Sequence, residues 1–122
     1  MQISEVAQKF GLTTDTLRYY EKEGLIGPIK KGKNGIRNYD EDDIKRIQFV
    51  KCMRSAGLEI SFLKRYIKLL DRGDETIKER REILVEQQKI LKEKLDAMQE
   101  AYDKLTMKID LYDKNILDKN II

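Results

Sequence analysis

The sequence predicts a mainly α-helical protein in which a small head of short helices precedes one long helix. Three observations support this fold class. Two short segments with apolar residues at helical spacing flank Gly11, and a basic, glycine-rich segment follows over residues 27–39. Residues 74–117 then contain neither glycine nor proline, so nothing interrupts a helix of about 60 Å. We therefore expect two domains, a head over residues 1–73 and a helix with a short C-terminal tail over residues 74–122.

The composition excludes most catalytic and metal-binding chemistry. The 122 residues contain no histidine and one cysteine, whereas zinc sites use several Cys or His ligands and nucleophilic triads need an imidazole. A single cysteine cannot form an internal disulfide, which is typical of a reducing compartment. No segment resembles a signal peptide or reaches the length of a membrane span. We expect a cytoplasmic protein that is not an enzyme, needs no cofactor or metal and does not bind membranes.

The first two helices are predicted to form a helix-turn-helix. The first spans residues 4–10, with Ser4 as a candidate N-cap, and Gly11 can end it in the left-handed conformation. Thr13 or Thr14 can cap the second, over residues 15–22. This pattern of helix, glycine turn, threonine cap and helix is typical of DNA-binding heads, although other helical hairpins share it.

The second helix presents a face that suits nucleic acid. Leu17 and Tyr20 should pack on the first helix, which leaves Arg18 and Tyr19 pointing outward. Arginine and tyrosine can contact both base edges and phosphates, whereas an ordinary solvated face rarely exposes the two side by side. The candidate DNA-binding residues of this helix are Thr14, Thr16, Arg18 and Tyr19.

A basic β-hairpin is predicted next. Asn34-Gly35 is a strong hairpin signal because both residue types tolerate positive φ. Residues 27–39 contain four basic residues and no acidic ones, a local charge that suits a polyanion better than the net charge of +3 suggests. The alternative is a loop that only aids solubility. The hairpin is therefore interpreted as a DNA-binding wing, and its candidate contacts are Lys30, Lys31, Lys33 and Arg37.

Two further helices complete the predicted head. Asp40 can cap a helix over residues 41–56, and Ser61 can cap another over residues 62–70. The first of these carries two apolar stripes, so it should pack between two bodies. One stripe contains Ile44, Ile47 and Val50; the other contains Phe49, Cys52, Met53 and Ala56.

Cys52 is open to two interpretations. Its place on an apolar stripe favours an inert, buried thiol. Lys51 and Arg54, however, are close in sequence and could lower the pKa of the thiol, which would make it a reactive sensor.

The long helix, capped by Asp74, has a heptad repeat that predicts a coiled coil. Its d positions are Ile77, Leu84, Leu91, Met98, Leu105 and Tyr112, and its a positions are Arg81, Gln88, Leu95, Tyr102, Ile109 and Ile116. From Leu91 onward the apolar seam is unbroken, and no later helix exists to cover it, so pairing with a second chain is expected. The predicted dimerisation residues are Leu91, Leu95, Met98, Tyr102, Leu105, Ile109 and Tyr112.

The polar start of this helix also indicates its orientation. Before Leu91 the apolar pairs Ile83-Leu84 and Ile90-Leu91 lie on a rotated face, which suggests a different packing partner for the first half of the helix. In a parallel pair, Arg81 would face its own copy across the core. An antiparallel pair that overlaps only over residues 91–112 avoids this repulsion, with a two-fold axis near Ala101–Tyr102.

Several motifs resemble the MerR family of bacterial transcription regulators. They are Ile3-Ser4-Glu5-Val6-Ala7, Gly11-Leu12-Thr13, Thr16-Leu17-Arg18-Tyr19-Tyr20-Glu21, Gly24-Leu25-Ile26, Arg37-Asn38-Tyr39 and Arg54-Ser55-Ala56-Gly57. The resemblance implies an antiparallel coiled-coil homodimer with two winged helix-turn-helix heads on a pseudo-palindromic promoter. Such a dimer bends and underwinds the spacer between the −35 and −10 elements so that RNA polymerase engages both. By position, Arg18, Tyr19, Arg37 and Tyr39 match DNA-contacting residues of the family.

The sequence also departs from two branches of that family. It has Asp113-Lys114-Asn115 where the metal-sensing branch carries cysteines, and it lacks the large C-terminal domain of the multidrug branch. Cys52 resembles the thiol of a branch that responds to reactive carbonyls or thiol stress, but the sequence does not identify the effector. The alternative functions are a coiled-coil adaptor with a basic head and an excisionase-like architectural DNA-binding protein.

Overall fold

The computed structural model describes residues 1–115 and contains five α-helices in that range. They are α1 (Ile3–Phe10), α2 (Thr14–Lys22), α3 (Glu41–Ser55), α4 (Ile60–Asp71) and α5 (Ile77–Asp113), with a single 3₁₀ turn at Asp74–Thr76. No regular strand occurs among these residues, so the mainly α fold class is confirmed. The predicted helical positions Ile116 and Leu117 lie outside the described residues.

The chain divides into two compact units, of which the first is Met1–Leu84 and the second begins at Val85. The first unit extends past residue 73 because Ile83, on the second turn of α5, is 3% exposed and belongs to the core of the head. We expected the rotated face of the long helix, which includes Ile83, to pack on a partner other than the seam. For Ile83 that partner is the core of the head in the same chain. No helix within residues 1–115 is both long and apolar enough to cross a membrane.

The N-cap of α1 differs from the prediction, whereas one of the two predicted caps of α2 is confirmed. The N-cap of α1 is Gln2 rather than Ser4, and the Gln2 backbone N–H donates to Glu5 Oε1 at 3.1 Å. Gly11 ends the helix with φ of 63°, the left-handed conformation that glycine adopts without a steric penalty. Thr13, not Thr14, caps α2, because its Oγ1 accepts from the Thr16 N–H at 3.1 Å.

The wing, residues 28–39, is a hairpin reduced to a single antiparallel bridge between Lys31 and Arg37. Gly35 has φ of 75°, but Asn34 does not have positive φ. The predicted Asn34-Gly35 turn is therefore present, with positive φ at Gly35 alone. Gly32 N–H donates to Ile36 O at 2.8 Å, which makes a three-residue turn with glycine at its left-handed position.

The α3 helix begins as predicted, because Asp40 and Asp43 cap each other reciprocally. Asp40 Oδ1 accepts from the Asp43 N–H and Asp43 Oδ2 accepts from the Asp40 N–H, both at 2.9 Å. The backbone N–H of Asp43 holds the pKa of Asp40 below its usual value, whereas burial raises the pKa of Asp43. The next N-cap is Glu59 rather than Ser61, which lies inside α4 and donates to Glu59 Oε2 at 3.2 Å.

A buried threonine joins α4 to α5. The Oγ1 of Thr76 lies 2.7 Å from Leu69 O and 2.8 Å from Gly73 O, and it accepts from Arg80 Nε at 2.9 Å. The Thr76 hydroxyl thus links the last turn of α4 to the start of α5. Asp74 lies within the 3₁₀ turn and does not cap α5.

The core of the head is built from all of its helices. Of the first α3 stripe, Ile47 and Val50 are fully buried and Ile44 is half-buried. The second stripe is only partly covered, and Cys52 is exposed. The buried apolar residues are Val6, Ala7, Phe10, Leu17, Tyr20, Leu25, Ile26, Ile29, Tyr39, Ile47, Val50, Leu58, Phe62, Leu63, Ile67, Leu69 and Ile83.

Candidate nucleic-acid interface

The outer face of α2 is exposed because its inner face anchors the helix in the core. Leu17 is fully buried and Tyr20 is 6% exposed, as the helical spacing predicts, whereas Tyr19 is 43% exposed. Arg18 Nη1 lies 3.2 Å from Asp15 Oδ1, with both side chains more than half exposed. Such a solvated pair contributes little to stability, so the Arg18 guanidinium can exchange Asp15 for a phosphate or a base edge.

The two threonines predicted to contact DNA are less available than Arg18 and Tyr19. Both Thr14 and Thr16 are half-buried. The Thr16 hydroxyl lies 2.9 Å from Thr13 Oγ1, and the Thr16 backbone N–H donates to the same oxygen. Thr16 therefore helps to start α2, and its hydroxyl is already engaged with Thr13.

The wing exposes three lysine side chains. Lys30, Lys31 and Lys33 are exposed, and none of them forms an ion pair within residues 1–115. Three unpaired ammonium groups on one short hairpin create a positive surface of the kind that attracts a phosphate backbone.

An ion pair fastens the wing to α2. Arg37 Nε donates to Glu21 Oε1 at 3.0 Å, and the Arg37 and Glu21 side chains are 39% and 21% exposed. The sequence patterns did not predict this contact. The two residues are 16 positions apart, so no local periodicity could have paired them.

Tyr39 is the predicted contact that the head does not present. Its side chain is 3% exposed, and its hydroxyl has no hydrogen-bond partner among the described residues. Burial raises the pKa of Tyr39, and the nearby Glu21 carboxylate raises it further. The expectation that the Tyr39 ring reaches DNA is therefore wrong for this conformation, because the ring packs in the core beneath the wing.

Cys52 is exposed in the single chain, so the expectation that its side chain is buried is wrong for this conformation. The two cations next to it in sequence are engaged elsewhere. The Lys51 ammonium donates to Phe10 O, and Arg54 Nη1 donates to Leu58 O at 2.9 Å. Both thereby hold backbone turns together, and neither donates a hydrogen bond to the thiol within the described residues.

The predicted dimer seam is exposed on the single chain. Six of its members have between 57% and 70% of their area exposed: Leu95, Met98, Tyr102, Leu105, Ile109 and Tyr112. Leu91 is half-buried. A run of exposed large apolar residues of this kind marks an interaction surface. No group of three potential metal-ligating residues occurs in the part of the chain that the structure describes.

Comparison with known proteins agrees with this architecture. The family model described as "MerR HTH family regulatory protein" matches residues 1–73, and a second, "MerR, DNA binding", matches residues 44–107. The HTH-type transcriptional regulator AdhR of Bacillus subtilis (strain 168) is 54% identical over 87 residues, which are 71% of this chain and 62% of that protein. The chain thus matches less than two thirds of the length of AdhR.

Two solved structures are similar over nearly the whole chain. A MerR family transcriptional regulator from Listeria monocytogenes has a TM-score of 0.90 at 42% identity, covering 95% of this chain and 88% of that one. HiNmlR, a MerR family regulator lacking the sensor domain and bound to promoter DNA, has a TM-score of 0.81 at 28% identity, covering 93% of this chain and 90% of that one. The chain belongs to the MerR family of helix-turn-helix transcription regulators.

Proposed function

We propose that two copies of this chain bind a pseudo-palindromic promoter site and distort the DNA between the −35 and −10 elements. The observation that carries the proposal is the joint exposure of Arg18 and Tyr19 on α2 beside a wing with three unpaired lysines. The likeness to HiNmlR, which was crystallised on promoter DNA, supports it. In this arrangement α2 enters the major groove, and the wing lysines contact phosphates.

The seam on α5 supplies the second copy. Large apolar residues recur with heptad spacing over residues 91–112, and most of their area is accessible in the single chain. Their burial in a coiled coil removes this surface from water. An antiparallel pair with its axis near Ala101–Tyr102 places one head at each end, which matches a site made of two inverted half-sites.

The regulated quantity in this proposal is the deformation energy of DNA. A spacer that is too long keeps RNA polymerase from engaging both promoter elements, and bending and underwinding restore their alignment. Deforming a promoter-sized site costs on the order of several kcal/mol. A small change in the angle between the two heads therefore changes transcription without requiring the protein to leave the DNA.

The binding proposal is tested by selecting duplexes from genomic fragments and titrating the full chain against a selected and a shuffled duplex. We expect a clear preference for the selected duplex and two chains per site. Equal affinity for both duplexes would instead favour the coiled-coil adaptor, and binding of single chains would favour the excisionase-like alternative.

We further propose that Cys52 senses reactive aldehydes. Its exposed Sγ can attack the carbonyl carbon of an aldehyde. A new S–C bond forms, and the thiol proton passes through solvent to the carbonyl oxygen, which gives a hemithioacetal without any oxidant. Because Cys52 lies on the partly covered stripe of α3, an adduct there would change how that stripe packs against a second body.

The sensor proposal is tested by transcription from the native promoter, with wild type and Cys52→Ser compared with and without an aldehyde. The expected result is a response in wild type only, together with an adduct at Cys52 in intact-protein mass spectra. A Cys52→Ser protein that responds as fully as wild type would exclude this thiol as the sensor.

A further inference from the structure

We infer that Glu21 is a positioning residue for DNA binding: it locks Arg37 of the wing onto α2 and leaves the Nη groups of that arginine for a phosphate. The inference rests on the proposed DNA-binding function. It assigns a favourable role to an acidic side chain within a surface that must approach a polyanion.

The geometry of the pair leaves the outer edge of the guanidinium unused. Arg37 carries five N–H donors, and only Nε is engaged, with Glu21 Oε1 at 3.0 Å. Neither Nη group has a hydrogen-bond partner within residues 1–115. One arginine can therefore bind the carboxylate through Nε and a phosphate through Nη at the same time, which the single ammonium of a lysine could not do with the same rigidity.

Ile29 and Tyr39 anchor the base of the wing in the core, and the ion pair of Arg37 with Glu21 fixes a further point of the wing to α2. One bridge joins its two sides, and an isolated hairpin of this size is marginally stable in water. The Glu21–Arg37 pair connects the wing to a helix whose inner face is buried through Leu17 and Tyr20. The ion pair thus fixes the position of the Arg37 guanidinium relative to Arg18 and Tyr19, which lie on α2 together with Glu21.

The surroundings also restrict Glu21 itself. Its side chain is 21% exposed, and the buried Tyr39 ring lies close enough for the carboxylate to raise the pKa of the tyrosine hydroxyl. A carboxylate this close to a phosphate-binding surface repels DNA by simple charge. If charge alone mattered, removing it would tighten binding, whereas the positioning role predicts weaker binding.

The test depends on this difference: loss of a repulsive charge would tighten DNA binding, whereas loss of positioning would weaken it. The variants are Glu21→Ala and Glu21→Gln in the full chain, titrated against a duplex that wild type selects. The matched control is Glu23→Ala, which removes the same charge from the end of the same helix but breaks a pair with Lys64 on α4 instead of one with the wing. Urea unfolding of each variant is measured alongside, to verify that it is folded.

We expect Glu21→Ala to weaken binding on the order of tenfold, as for the loss of one charge-assisted hydrogen bond. Glu21→Gln keeps an acceptor oxygen and should lose less. Glu23→Ala should bind as tightly as wild type or more tightly. The salt dependence of Glu21→Ala should fall by about one unit of log–log slope, because one phosphate contact is lost.

A double-mutant cycle separates positioning from general destabilisation. In an Arg37→Ala background, Glu21→Ala should cause no further loss, because the group that Glu21 positions is already absent. The inference would be overturned if Glu21→Ala bound DNA as tightly as wild type or more tightly. It would also be overturned if Glu21→Ala and Glu23→Ala lost equal amounts of DNA affinity and the two losses were additive. If Glu21→Ala does not fold, Glu21→Gln replaces it: weaker DNA binding than wild type supports the inference, and equal or tighter binding overturns it. A wild-type chain that does not discriminate between duplexes would instead refute the proposed function.

Discussion

Replacing Tyr39 by phenylalanine should stabilise the head, because it deletes one buried hydroxyl oxygen and keeps the ring. The Tyr39 ring is 3% exposed, and its hydroxyl has no partner among the described residues. Folding therefore strips water from this hydroxyl without replacing the lost hydrogen bonds. A buried group left in that state costs about 1–3 kcal/mol.

The size of the stabilisation follows from the cost of burying a hydroxyl that forms no hydrogen bond. Phenylalanine retains the ring packing and removes the desolvated oxygen, so we expect the free energy of unfolding to rise by about 1 kcal/mol. Urea titration of both proteins at the same concentration measures the change as a higher midpoint with an unchanged slope. Affinity for the selected duplex should not change, because the hydroxyl is not on the surface.

The pH dependence provides an internal control. Burial raises the pKa of Tyr39 above its ordinary value of 10.0. A raised pKa in the folded state contributes stability below the unfolded value that is lost as the pH rises through the folded one. The advantage of Tyr39→Phe over wild type should therefore grow above about pH 10. A Tyr39→Phe protein that is destabilised by 1 kcal/mol or more, or that loses DNA affinity, would refute this account of the hydroxyl.

Three further predictions concern the two interfaces. Leu95→Glu combined with Ile109→Glu should give monomers in sedimentation and weaken duplex binding by about 10²–10⁴-fold, because two linked half-sites become separate; Met107→Glu, 68% exposed but off the seam, is the matched control and should stay dimeric. Arg18→Ala should reduce binding to the selected duplex by about 1–3 kcal/mol and binding to a shuffled duplex by less. Lys33→Ala should weaken binding to both duplexes alike and reduce the slope of the salt dependence by about one. A Leu95→Glu and Ile109→Glu double variant that is still dimeric would contradict the seam assignment. Identical behaviour of Arg18→Ala and Lys33→Ala would contradict their separate roles.

Local chemistry allowed most of the head to be predicted. The Asp40 cap of α3, the left-handed Gly11 and the burial of Leu17 and Tyr20 all depend on residues within one or two helical turns. Such interactions are visible in a single sequence because their spacing is fixed by helix geometry. The heptad seam belongs to the same class, since its members repeat along one face of α5.

Contacts between distant residues could not be predicted in this way. The Glu21–Arg37 pair joins residues from two elements, and the burial of Ile83 depends on how the start of α5 meets the head. The turn of the wing illustrates a different problem: Asn34-Gly35 fits two turn types, and the bond from Gly32 N–H to Ile36 O selects the longer one. The resemblance assigned Tyr39 to the DNA interface by its position in a motif, and that position does not show whether an aromatic ring is exposed or packs in the core.

The central claim is that this chain reads a specific duplex as a dimer through α2 and the wing. The most direct measurement is a fluorescence-anisotropy titration of the full chain against a genomically selected duplex and its shuffled counterpart at several salt concentrations. We predict saturation at two chains per selected duplex and an affinity ratio of roughly 10³ or more at physiological salt. Equal affinities with the same salt slope for both duplexes would contradict the claim.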